Sequence, residues 1–117
     1  MSRIVRIDTL HEGDRHSCAA NGNGIRVVVW WLGCSIGCKG CHNVDYWNFD
    51  NDKYPEFSED HINKVIDETN EYEKLYSGLS ILGGEPFELQ NIKNVIKLCE
   101  RYKSELTEKN IWIWSGY

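Results

Sequence analysis

The sequence predicts an α/β protein in which strands alternate with helices and pair in parallel. Two observations lead to this prediction. Short runs of β-branched and aromatic residues recur along the chain, and amphipathic stretches of helical length separate the later runs. Alternation of strand and helix is typical of parallel β-α-β units, in which the helices pack on the faces of the sheet.

The length and composition indicate one soluble domain. The chain has 117 residues, and we expect residues 1–117 to form a single domain, since a complete α/β barrel usually needs about 250 residues. Hydrophobic residues make up 41% of the sequence and charged residues 26%. Both fractions are ordinary for a soluble protein.

Charge and hydropathy argue against two classes of partner. The net charge of −5 predicts no nucleic-acid surface, because phosphate binding needs clustered lysine and arginine. The longest apolar run falls short of the roughly 20 residues of a membrane span, so we predict no membrane partner. No charged-then-apolar leader begins the chain, and the cytoplasm is the expected location.

The first 25 residues show little periodicity. Ile4, Val5 and Ile7 predict a short edge strand, and the polar segment 11–16 predicts a loop. Residues 21–24, Asn-Gly-Asn-Gly, predict a turn, because glycine and asparagine both tolerate positive φ.

The strongest strand signal covers residues 26–32, Arg-Val-Val-Val-Trp-Trp-Leu. Its apolar residues do not alternate with polar ones, which predicts a strand buried on both faces, as in a parallel sheet. A loop with three cysteines follows directly. Residues 42–57 are polar and aromatic, and we expect a long connection there.

Two amphipathic helices and two more strands follow. Ser58 is a good N-cap for a helix that we expect to run to about Tyr76, and a second helix is predicted from Leu89 to about residue 109. Strands are predicted at residues 79–82 and 111–114. The predicted apolar stripes are Ile62, Val65, Ile66, Thr69 and Tyr72 in the first helix, and Ile92, Val95, Ile96, Cys99, Tyr102 and Leu106 in the second.

This order of elements brings two unusual loops to one place. Right-handed crossovers between parallel strands put the cysteine loop, residues 34–41, and the glycine loop, residues 83–86, at the C-terminal edge of the sheet. Residues 115–117 reach the same edge. Ligands bind at this edge in α/β sheets and barrels, so we expect the functional site here.

The cysteine loop has the composition of a metal site. Three of the five cysteines, Cys34, Cys38 and Cys41, have the spacing C-x3-C-x2-C. An odd number of cysteines, three of them close together, favours metal binding over a disulfide framework in a reducing compartment. The C-x2-C half suits zinc, but no second pair follows, and three cysteines on a [4Fe–4S] cluster would leave one iron open. Spacing alone leaves open a zinc site, an iron–sulfur cluster, and redox or merely structural thiols.

The two other cysteines fall outside this motif. Cys18 lies in the predicted N-terminal loop, and we assign it no role. Cys99 lies on the apolar stripe of the second helix, where a buried cysteine behaves as a small hydrophobic residue. We therefore predict a core position for Cys99 rather than a ligand.

The two loops together resemble the signature of the radical S-adenosylmethionine (SAM) superfamily. Cys34, Cys38 and Cys41 follow a buried strand, and the Gly-Gly-Glu-Pro sequence at 83–86, after the next strand, is similar to the loop that holds the methionine end of SAM in that superfamily. Two motifs in this order are more specific than either alone. The resemblance implies an α/β fold that forms part of an incomplete barrel.

A closer resemblance is to the glycyl-radical-enzyme activases, and among them to the anaerobic ribonucleoside-triphosphate reductase activating proteins. Residues 21–26, Asn-Gly-Asn-Gly-Ile-Arg, are similar to a segment of the activases. Gly40, Cys41-His42-Asn43 and residues 111–117, Ile-Trp-Ile-Trp-Ser-Gly-Tyr, are similar to the activating proteins. The resemblance covers about residues 20–117, and the chain is C-terminally short relative to that family.

The resemblance implies an enzyme that generates a glycyl radical on another protein. Cys34, Cys38 and Cys41 would each ligate one iron of a [4Fe–4S] cluster, and S-adenosyl-L-methionine would chelate the fourth. Reductive cleavage of SAM would give a 5′-deoxyadenosyl radical, which abstracts hydrogen from a glycine in the large subunit of anaerobic ribonucleotide reductase. A low-potential donor such as flavodoxin would reduce the cluster.

The same resemblance implies the residues that bind SAM. Gly83 and Gly84 let the backbone approach the methionine ammonium, because neither has a side chain, and Glu85 offers a carboxylate to the same region. Pro86 completes the loop, and Ser115 lies where a further contact to the cofactor is expected.

Several alternatives stay open. Another small radical SAM enzyme, of the formate-lyase activase or deazaguanine synthase type, is one; a non-catalytic zinc-binding interaction module and an inactive fragment that still binds the reductase are others. Tyr46, Trp47 and Phe49 are candidates for docking the partner or for packing over the cluster. Arg26 either orients carboxylates at the start of its strand or is a surface arginine.

Overall fold

The computed structural model describes residues 2–33 and 53–115, which form a mixed β-sheet with helices packed against it. In this described part the strands lie in the order β1-β2-β3-β4, and none of the helices has the length and apolar character that crossing a membrane requires. The strands are β1 (Ile4–Asp8), β2 (Ile25–Trp31), β3 (Tyr76–Gly83) and β4 (Asn110–Ile113), and the helices are α1 (Arg15–Ala20), α2 (Glu59–Glu71) and α3 (Leu89–Glu105).

The three later strands are parallel, as the sequence predicts. Val27 of β2 pairs with Leu79 of β3, which pairs in turn with Ile111 of β4. β1 lies antiparallel on the outer side of β2, with Ile7 opposite Val29. The α/β class and the predicted edge strand are therefore confirmed. The sheet is mixed rather than wholly parallel, because a short connection through α1 returns the chain beside β1.

The hydrophobic core joins the central strands to α2 and α3. Val27 and Val29 on one face of β2 are at most 1% exposed, and Val28 on the other face is 0% exposed, which confirms a central strand that is buried on both faces. Leu79 and Ile81 of β3 are 0% exposed. The helix residues buried against them are Ile62, Val65, Ile66 and Thr69 of α2 and Val95, Leu98 and Tyr102 of α3.

Helix α2 begins at the predicted cap and ends earlier than predicted. Ser58 and His61 form a capping box at its start, and Tyr72 is the C-cap. Tyr76 belongs to β3, where its hydroxyl donates to Glu68 at 2.6 Å and accepts from Leu10 N at 2.9 Å. The predicted end at Tyr76 is wrong because long-range contacts draw this tyrosine into the sheet.

A short helix, α1, occupies part of the N-terminal segment that the sequence predicted to be a loop. Its N-cap, Asp14, accepts a hydrogen bond from His16 N at 2.9 Å. Cys18 lies on this helix with 0% exposure, so its predicted place in a loop is wrong. A helix of 6 residues is too short to show an apolar period in the sequence.

The apolar face of α3 differs from the predicted stripe. Ile96 is 49% exposed, whereas Leu98, which the prediction omitted, is 1% exposed. Cys99 packs half-buried against the core, as predicted, and burial raises the pKa of its thiol to about 11. The core-facing positions run 91, 95, 98 and 102, a helical period that begins at a polar residue.

Arg26 is 0% exposed at the N-terminal edge of the sheet. Its guanidinium donates to Ser80 Oγ at 2.8 Å and to the carbonyl oxygens of Asn23, Leu79 and Asn110 at 2.9, 2.9 and 3.0 Å. The prediction of a surface arginine is therefore wrong. Because these acceptors are a hydroxyl and three carbonyls, Arg26 joins the preceding turn to the starts of the parallel strands rather than orienting carboxylates.

We expect the Arg26→Lys variant to lose about 2–4 kcal/mol of unfolding free energy, because one ammonium cannot replace a buried guanidinium that serves four acceptors. Urea denaturation measures this loss. Arg101→Lys is the matched control: Arg101 pairs with Glu59 at 2.9 Å on the surface, where such pairs contribute less than about 1 kcal/mol. Equal losses in the two variants would contradict the assigned role of Arg26.

Candidate functional site

The ends of β2 and β3 bring the starts of the two predicted loops side by side. Gly84 N donates to Trp31 O at 2.9 Å, and Glu85 N donates to Gly33 O at 2.8 Å. Gly33 is the last residue before Cys34. The base of the cysteine loop is therefore hydrogen-bonded to the glycine loop at the C-terminal edge of the sheet, while the predicted ligands Cys34, Cys38 and Cys41 lie outside the described residues.

Gly83 occupies a position that only glycine fits. Its φ is 132°, in the region that side chains disfavour. A Cβ there would overlap the backbone oxygen and nitrogen of Trp31, its partner in the parallel ladder. The bare backbone at Gly83 therefore allows the close approach of the two strands at their C-terminal ends.

The carboxylate of Glu85 connects the glycine loop to the end of β4. Glu85 is 1% exposed, and its Oε2 accepts from Phe87 N at 2.7 Å and from Ser115 Oγ at 2.8 Å. Pro86 is buried beside it. The structure thus brings together Glu85 and Ser115, two residues that the sequence placed at the site separately, and each uses the other as a hydrogen-bond partner.

Asn91 belongs to this arrangement, although the sequence did not indicate it. It lies in the first turn of α3 with 0% exposure, and its Nδ2 donates to Leu32 O at 3.1 Å and to Glu85 O at 3.0 Å. The one available signal was its spacing, since position 91 precedes the core position Val95 by four residues. A polar residue on the apolar face of a helix marks a buried hydrogen-bonding role.

Apolar side chains near these loops are solvent-exposed. Phe87 is 38% exposed, Leu89 92% and Trp114 48%. These residues flank Glu85 and Ser115 along the chain. The aromatic segment that the sequence indicated for docking, Tyr46 to Phe49, lies outside the described residues, so its predicted role stays a prediction.

Within residues 2–33 and 53–115, no three histidine, cysteine or acidic side chains lie close enough together to hold a metal ion. Burial and nearby acidic residues, chiefly Asp8, raise the pKa of the Cys18 thiol to about 11. Cys18, which is buried, and Cys99, which is half-buried, are therefore both protonated at neutral pH. Both thiols differ from the exposed, low-pKa thiols that bind metals and react.

The chain is similar to known iron–sulfur proteins. Residues 20–117 match the family described as "4Fe-4S single cluster domain". Proteins named "anaerobic ribonucleoside-triphosphate reductase-activating protein" are 34% identical over 97 residues in Escherichia coli K12, 36% over 98 residues in Vibrio cholerae and 37% over 98 residues in Enterobacteria phage T4.

These similarities cover most of this chain and a smaller part of each relative. Each of the three matches spans 83% of this chain, but only 62%, 61% and 60% of the respective relative. The chain therefore spans about three fifths of the length of the curated relatives that it matches. No solved structure matches the fold significantly.

We expect Gly83→Ala to disturb the contact between the two loops, because the added Cβ would overlap Trp31 and the backbone would be strained at a positive φ. The loss of unfolding free energy should be about 1–3 kcal/mol, with faster amide hydrogen exchange at Gly84 and Glu85, whose N–H groups donate across the contact. Ser77→Ala, at an exposed position of the same strand, is the control. If Gly83→Ala matches the wild type in both measurements, the close approach is not required.

Proposed function

The chain belongs to the family of 4Fe–4S single cluster domains, and we propose that it is a radical SAM activase that generates a glycyl radical on anaerobic ribonucleoside-triphosphate reductase. The observation that carries this proposal is the backbone contact between the two loops, from Gly84 N to Trp31 O and from Glu85 N to Gly33 O. The similarity to proteins that are named as activators of this reductase supports it.

We assign the iron–sulfur cluster to Cys34, Cys38 and Cys41. Thiolate sulfur is the ligand that such clusters prefer, and three cysteines leave one of four irons without a protein thiolate. When bound, the cluster supplies the low-potential electron for reductive cleavage of SAM, since iron–sulfur potentials reach down to about −700 mV. Gly33, buried at the start of this loop, holds the loop against Glu85.

We assign the methionine end of SAM to residues 83–86, with Ser115 as a further contact. The fit of this loop rests on Gly83, whose missing side chain keeps the backbone accessible and close to Trp31. Since the Oε2 atom of Glu85 already accepts from Ser115, these two side chains hold the loop against the end of β4. The backbone at 83 and 84 then provides the polar groups for the ligand.

The partners follow from this chemistry. The substrate is the large subunit of anaerobic ribonucleotide reductase, which presents the glycine that carries the radical. A low-potential protein such as flavodoxin supplies the electron. We place this reaction in the cytoplasm, with neither nucleic acid nor membrane as a partner. We further propose that residues 1–117 form a single domain and that its fold is part of an incomplete α/β barrel.

Cysteine variants test the cluster assignment. We expect anaerobically reconstituted wild-type protein to be brown with about four irons per chain, and Cys38→Ala to lose both the colour and most of the iron. Cys99→Ala is the matched control, because Cys99 packs against the core, and it should keep the iron. Colourless wild-type protein with one bound zinc would instead support the zinc-binding interaction module.

Electron paramagnetic resonance tests the activity. We expect the reduced, reconstituted protein, mixed with SAM and the large subunit of the reductase, to give the doublet signal of a glycyl radical together with 5′-deoxyadenosine. The Cys38→Ala variant should give neither product.

Three other outcomes would contradict the activase proposal. A doublet on formate lyase but not on the reductase would identify an activase of a different enzyme, and 5′-deoxyadenosine without any protein radical would indicate another radical SAM reaction. Iron-loaded protein that binds the reductase and forms no 5′-deoxyadenosine would be an inactive fragment.

A further inference from the structure

Asn91 is a buried polar residue that the apolar core does not require. It is 0% exposed and occupies the first core-facing position of α3, ahead of Val95 and Leu98. Burying an amide is unfavourable unless its groups are hydrogen-bonded. Its Oδ1 has no hydrogen-bond partner in the described structure. The hydrogen bonds that offset the burial of this side chain are therefore those that its Nδ2 donates.

Those bonds connect two segments that are far apart in sequence. The two hydrogens of Nδ2 point to Leu32 O and Glu85 O, at 3.1 and 3.0 Å. Leu32 is two residues before Cys34, and Glu85 is in the middle of the glycine loop. A single amide group on a helix therefore bridges the base of the cysteine loop and the glycine loop.

The bridge acts where the β-sheet ladder ends. Leu32 N donates to Arg3 O at 3.0 Å, so both polar backbone groups of Leu32 are bound, one by the N-terminal segment and one by Asn91. On the other side, Glu85 N is bound by Gly33 O and Glu85 O by Asn91. Both backbone polar groups of one residue, Leu32 or Glu85, are therefore hydrogen-bonded at the base of each loop.

We propose that Asn91 is a positioning residue that sets the separation between the cluster loop and the SAM loop. This inference rests on the proposed function, because a ligand that spans the open iron and residues 83–86 needs both loops at a fixed distance. Asn91 touches neither iron nor substrate in this proposal. Its loss should weaken SAM binding and leave cluster ligation intact, since the three thiolates come from one loop.

Three variants of the reconstituted full chain test the proposal. Asn91→Leu keeps the volume and removes the donors, and Asn91→Ala removes the donors and leaves a cavity. Asn94→Ala is the control, because Asn94 lies on the same helix and its amide donates to Ser2 Oγ at 3.0 Å, away from both loops. The measurements are iron content, the dissociation constant of SAM and the change that SAM causes in the resonance spectrum of the reduced cluster.

We expect both Asn91 variants to retain wild-type iron and to bind SAM about tenfold or more weakly, the effect of losing one or two hydrogen bonds. The spectral change on adding SAM should diminish in both. Asn94→Ala should behave as the wild type. Wild-type SAM affinity in Asn91→Leu would overturn the proposal, as would loss of iron and of folding in both Asn91 variants, which would make the residue merely structural.

Amide hydrogen exchange of the apoprotein separates this inference from the proposed function. We expect peptides that contain Gly84 and Glu85 to exchange faster in the Asn91 variants and unchanged in Asn94→Ala. If the wild type holds a cluster but never binds SAM, the proposed function fails even where exchange responds to Asn91. If the wild type binds SAM and neither affinity nor exchange responds, the positioning role fails and the proposed function stands.

Discussion

The close approach of β2 and β3 at Trp31 and Gly83 is the constraint on which the candidate site depends. Gly83 has a φ of 132° and no Cβ to overlap the Trp31 backbone, so the two strands keep their parallel pairing to their last residues. The two strands therefore end at the same edge of the sheet, and the residues that follow them lie within hydrogen-bonding distance of each other. A larger residue at 83 would push the two strands apart where the cysteine loop and the glycine loop begin.

Buried polar side chains hold this edge together beyond the end of the ladder. The Glu85 carboxylate binds Ser115 at the end of β4, and the Asn91 amide binds Leu32 at the end of β2. Each buried polar group loses hydration, and the hydrogen bonds offset that loss. These bonds fix the base of each loop at the edge of the sheet where ligands bind in α/β folds.

Arg26 joins several segments at the opposite edge of the sheet. Arg26 inserts a buried guanidinium between the preceding turn and the starts of β3 and β4, where Ser80 Oγ and Asn110 O are among its acceptors. The two ends of β2 thus differ in the interactions that they make. The N-terminal end is stabilised by a charged group with four hydrogen bonds, and at the C-terminal end the bases of two loops lie side by side.

Local signals in the sequence determined the α/β class, the parallel strands, the two long helices and the pairing of the two motif loops, because apolar periodicity, the Ser58 cap and cysteine spacing are properties of neighbouring residues. Only the tertiary structure decided the antiparallel β1, the short helix α1 and the roles of Arg26 and Asn91. Their partners are remote: Arg26 and Ser80 are 54 residues apart, and Asn91 and Leu32 are 59 apart. No local pattern encodes which distant carbonyl a buried donor will meet, since that depends on how the strands and helices pack.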